Sequence, residues 1–129
     1  MRPAAENLIR WTLGIGALFN LAAALMLLFP QSFGAFAGVP VSESVFHTWL
    51  LALFVALFGA TYAWMAHQPE IPRPLLGLAA IGKTGVFFVA LACWIRNDIP
   101  LTTFSLAIAD LAFAAAFFWW LRRDPSKHR

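Results

Sequence analysis

The chain has 129 residues with a formal net charge of +3; 61% of its residues are hydrophobic and only 12% are charged. That length and composition leave room for one domain and none for a separate soluble catalytic module. A lone cysteine, Cys93, excludes an intramolecular disulfide, and no Cys/His set points to redox or metal chemistry.

Four apolar runs dominate: Trp11 to Phe29, His47 to Ala66, Leu75 to Ile95 and Leu101 to Leu121. Each is close to the roughly 20 residues needed to cross about 30 Å of hydrocarbon. They lack period-2 alternation and are rich in Leu, Ala and Phe, so they read as helical membrane spans. Allowing for end turns, the expected spans are about 9–29, 47–66, 75–95 and 101–121. An alternative makes the first run a signal peptide cleaved near Ala35-Phe36-Ala37. That run, however, is longer than an ordinary signal-peptide core.

The first connection, Pro30 to Phe46, is the long one. Phe29, Phe33 and Phe36 recur at helical spacing, which predicts a short helix lying in the membrane interface. Gly38 is placed to end it, Val39-Pro40 to extend the chain, and Ser42 or Ser44 to cap the second span. This segment reads as a packed lid, with a gate over a cavity as the alternative. The second connection, His67 to Pro74, holds three prolines and forms a stiff turn. The third, Arg96-Asn97-Asp98-Ile99-Pro100, is tight. Short connections of this kind predict an all-α, antiparallel four-helix bundle. No long internal repeat is apparent.

Charge placement orients the bundle. Arg2, Arg10, Arg73, Arg122, Arg123, Lys127 and Arg129 fall on one side and Arg96 on the other. The positive-inside bias therefore places both termini in the cytoplasm. Trp11, Trp64, Trp119 and Trp120 fall at the cytoplasmic ends of spans, and Trp49 and Trp94 at the outer ends, as interfacial rings prefer. The cations are scattered at span ends rather than gathered into a patch, so nucleic acid is not an expected partner.

Lys83 and Asp110 are the charged residues well inside the spans, and each costs about 2.5–3.5 kcal/mol there if unpaired. Counted at 1.5 Å per residue, Lys83 lies about 12 Å from the cytoplasmic end, Asp110 about 17 Å and Asn20 about 14–16 Å. The three converge on the midplane, and Tyr62 bounds the same interior from the cytoplasmic side. Small neighbours, Gly82 and Gly85 beside Lys83 and the Gly16 and Gly59 faces, are expected to let helices approach. A polar layer of this kind either fixes helix register or binds a ligand, and intramembrane charges favour the second.

The leading expectation is a non-enzymatic protein that binds a small amphipathic molecule, lipid or quinone at Lys83, Asp110, Asn20 and Tyr62. The alternatives are an accessory subunit of a larger membrane complex or homo-oligomer, and proton-coupled transport through Asp110. His47, His67 and His128 are far apart and form no ligand set, so no metal or cofactor is expected. No nucleophile–base pair is evident. A Schiff-base pigment would need more room than four spans offer. A small multidrug transporter would need a carboxylate where the first span has Asn20.

Asn20, Leu28-Phe29-Pro30 with Phe33, Gly38-Val39-Pro40, Gly59-Ala60-Thr61-Tyr62, Gly82-Lys83 and Asp110 follow one another in a telling order. In that order the chain resembles small four-helix bacterial inner-membrane proteins, DoxX-like in outline. The resemblance implies a multi-pass bundle in the bacterial inner membrane without an assigned activity. DoxX is associated with thiosulfate:quinone oxidoreductase complexes, but this chain offers no redox residue beyond Cys93.

Overall fold

The computed structural model describes residues 2–123; Lys127, His128 and Arg129, counted above among the tail residues, lie outside them. The described chain is helical: α1 (Ala4–Leu28), α2 (Phe33–Ala37), α3 (Val45–His67), α4 (Arg73–Ile95) and α5 (Leu101–Leu121). Four of these, α1, α3, α4 and α5, are long and apolar enough to cross a membrane.

Helix ends follow local chemistry. Ser44 caps α3 by accepting the His47 N–H at 3.3 Å, and Pro74 occupies the first turn of α4, where its missing N–H costs nothing. Gly38 ends α2 in the left-handed region at φ 66°, with Val39 N–H reaching back to the Gly34 carbonyl. One boundary differs from expectation: α1 begins at Ala4, well before the apolar run. The extra turns are held by Glu6 and Arg10, an i,i+4 pair at 2.7 Å.

α1 packs along α3, and α4 along α5. In the first pair, Arg10 meets Ala66, Gly16 meets Tyr62 and Asn20 meets Val55. In the second, Arg73 meets Leu121, Lys83 meets Asp110, and Phe87 and Trp94 meet Phe104. Rising numbers on one helix thus meet falling numbers on its neighbour. The core joins both pairs through Ile9, Leu13, Tyr62, Met65, Leu76, Ala79, Ala80 and Phe117. Outside it, Leu18, Ile81, Phe88 and Val89 all lie exposed. In hydrocarbon such apolar outer faces need no protein cover.

α2 lies across the end of α1 and is tied to α5 by the Thr103 hydroxyl, which donates to the Ala37 carbonyl at 2.8 Å. Its contact with α1 requires glycine: a Cβ on Gly34 would meet the Met26 carbonyl at 2.7 Å.

Glycine placement corrects one expectation. Gly82 and Gly85, which flank Lys83, face open space, so neither sets a helix contact. Gly59 does: a Cβ there would stand 3.0 Å from Asn20 Cβ and 3.3 Å from the Ala17 carbonyl. The difference arises because residues adjacent to Lys83 in sequence point away from the face that buries it. Gly59→Leu is therefore expected to lower stability by about 1–3 kcal/mol through overpacking. Gly85→Ala should raise it by about 0.5–1 kcal/mol, since alanine restricts the unfolded chain without meeting a neighbour. Thermal unfolding in mild detergent checks both signs.

Candidate functional site: a caged lysine between helices

Lys83 sits mid-helix on α4 and is 4% exposed. Its Nζ donates to Asp110 Oδ1 on α5 at 2.6 Å and to Asn20 Oδ1 on α1 at 3.1 Å. Three ring faces surround the same nitrogen: Phe19 at 5.3 Å, Tyr62 at 5.3 Å and Phe113 at 5.1 Å from their centroids. The ammonium, carried by α4, is thus met by two oxygens and three π-faces contributed by the other three long helices, α1, α3 and α5. Each aromatic face attracts the cation through its quadrupole, more strongly where water is excluded.

All four residues expected from the sequence are brought together. Asn20 turns its carbonyl to Lys83 and donates its amide Nδ2–H to the Val55 carbonyl at 3.1 Å, so both ends of its side chain are engaged. Gly59 lies one turn beyond Val55 and leaves the space through which Asn20 reaches that carbonyl. Tyr62 stands beside the ammonium and is fixed edge-on against Phe117 at 5.8 Å. Asp110 differs from its partner in exposure, at 14% against 4%. Among the described residues only Lys83 hydrogen-bonds the carboxylate. The cage around the cation is closed, while the anion keeps an open edge.

Sequence reasoning left three participants without a role. Phe19 and Phe113 form walls of the cage, and helical spacing points to both, since Phe19 adjoins Asn20 and Phe113 is one turn from Asp110. Arg10 is the third. The sequence places it only among the cations that orient the bundle; it is 8% exposed and donates to the carbonyls of Ala66, Gln68 and Pro69 at 2.8, 2.6 and 3.1 Å. These are carbonyls at and beyond the end of α3, where a cation complements the helix dipole. Arg73 does the same for α5, donating to the Leu121 carbonyl.

Two cavities lie away from the caged lysine. A groove of about 820 Å³ between the end of α1 and the start of α3 is lined by Leu28, Val41, His47 and Trp49. A smaller one of about 340 Å³ lies beside Arg2, Arg10 and His67. Cys93 is a free thiol, and no three His, Cys, Asp or Glu gather as a metal site among the described residues. Compared with protein-family models, curated proteins and solved structures, the chain has no match in any of the three.

The geometry makes the pair interdependent. Lys83→Met or Asp110→Leu alone leaves one buried charge uncompensated and is expected to cost about 3–5 kcal/mol. The double change should recover most of that loss. A double-mutant cycle in detergent checks this; single changes that each cost under about 1 kcal/mol would mean the charges are solvated instead.

Proposed function

We propose that the protein is a non-enzymatic, multi-pass bacterial inner-membrane protein that holds the polar head of a small amphipathic molecule, a lipid or a quinone, beside Lys83 and Asp110. On this reading the helices form an antiparallel bundle with both termini cytoplasmic, α2 rests in the outer interface, and membership of a DoxX-like group is part of the proposal. Seven cations on one side and one on the other support that orientation.

One observation carries the reading: Asp110 presents a partly exposed carboxylate within a long helix that holds no other charged residue. A carboxylate at membrane depth is costly, and its open oxygen is a strong acceptor for a hydroxyl or N–H group. Lys83 holds it in place through the 2.6 Å hydrogen bond, while Asn20 and Tyr62 hold Lys83. The surrounding apolar faces suit the acyl or isoprenoid part of such a molecule.

A second reading, an accessory subunit of a larger complex, is favoured by the open face at Gly82 and Gly85, flanked by exposed Leu78, Ile81 and Val89. A helix of another protein could approach closely there.

Mass spectrometry after gentle detergent extraction separates these readings. The native protein is expected to carry a lipid or quinone in defined stoichiometry, and both Lys83→Ala and Asp110→Asn to lose it. Unchanged retention in a folded Asp110→Asn variant would contradict the ligand reading. Loss of a co-purifying protein in Gly82→Leu, with Asp110→Asn unaffected, would favour the second.

A further inference from the structure

We infer that the chain is a tandem duplication of one helical hairpin, and that Lys83–Asp110 is an addition made to the second copy alone. The inference rests on the reading of this pair as the functional site and says which half of the molecule carries the chemistry.

Setting Arg10 of α1 against Arg73 of α4 also aligns Leu13 with Leu76, Gly14 with Gly77, Ala17 with Ala80 and Asn20 with Lys83. Setting Ala66 of α3 against Leu121 of α5 aligns Thr48 with Thr103, Ala52 with Ala107, Phe58 with Phe113, Tyr62 with Phe117 and Trp64 with Trp119. Buried positions coincide: Leu13, Gly16 and Asn20 match Leu76, Ala79 and Lys83, while Ala52, Gly59 and Tyr62 match Ala107, Ala114 and Phe117.

The contacts repeat as well. Arg10 donates to the Ala66 carbonyl, and Arg73 to that of its counterpart Leu121. Phe58 and Tyr62 pack at 6.3 Å, and their counterparts Phe113 and Phe117 at 6.5 Å. Asn20 bonds Val55, and Lys83 bonds its counterpart Asp110. The sequence hides the repeat because the register jumps at the first connection, which is longer than the one between α4 and α5.

Each hairpin thus has a polar link at the same height, built differently. In the first, a neutral amide reaches a backbone carbonyl across Gly59. In the second, a longer ammonium reaches a side-chain carboxylate, and Ala114 can stand where glycine was needed. The first hairpin is an internal control: its own link at this position, Asn20 to Val55, uses no charged residue. Parallel repeats related by an axis along the membrane normal are an established way to build a site between helices.

The test gives the second hairpin the residues of the first: Lys83→Asn, Asp110→Val and Ala114→Gly together. This variant is expected to melt cooperatively in detergent, no lower than Asp110→Val alone, which strands a buried ammonium, and to lose the lipid or quinone of the native protein. Failure to fold, or melting below Asp110→Val, would overturn the inference, because the ion pair would then be part of the packing unit. A folded triple variant that still retains the bound molecule would leave the duplication standing and contradict the proposed function instead.

Discussion

An ammonium ion placed among apolar helices must be surrounded, and the requirement to surround Lys83 shapes the centre of this protein. Two oxygens and three ring faces meet it, and they come from the three long helices other than its own. Without protein contacts the charge would cost several kcal/mol in hydrocarbon. The helices cannot slide or rotate past one another without exposing it. In the absence of a hydrophobic driving force between spans, such polar anchors and close small-residue contacts decide which helices meet and in what register.

The ends of the helices obey a second constraint, the need to satisfy terminal carbonyls. Arg10 and Arg73 each rise from the start of one helix to bind carbonyls at the end of its neighbour. Each hairpin is thus closed at one end by a guanidinium and linked at mid-height by a polar side chain. Built twice, this plan yields a scaffold in which one position, Asn20 in the first half and Lys83 in the second, can change chemistry without changing the packing around it. Gly59 and Ala114 record that difference in the space they leave.

The four spans were legible in the sequence because uninterrupted apolar length is a strong signal, and the convergence of Asn20, Lys83 and Asp110 followed from helical rise alone. Gly38 and Ser44 were legible as caps for the same local reason. What could not be read was direction around each helix: Gly82 and Gly85 adjoin Lys83 yet face outward, and Arg10 looks like a surface cation yet lies buried. An all-apolar helix carries no amphipathic stripe to tell inside from outside. The inferred repeat is hidden in the sequence because its identities are few and its register breaks at the first connection.

Solid-state NMR in lipid bilayers tests the caged lysine most directly. With Lys127 replaced by arginine, Lys83 is the one remaining lysine, so a ¹⁵N label on its Nζ and ¹³C on aspartate Cγ isolate the pair. A strong through-space correlation from Lys83 Nζ to Asp110 Cγ, together with aromatic ring-current shifts on the lysine side chain, is the predicted result. A Lys83 amine that exchanges rapidly with water and shows no contact to Asp110 would contradict it.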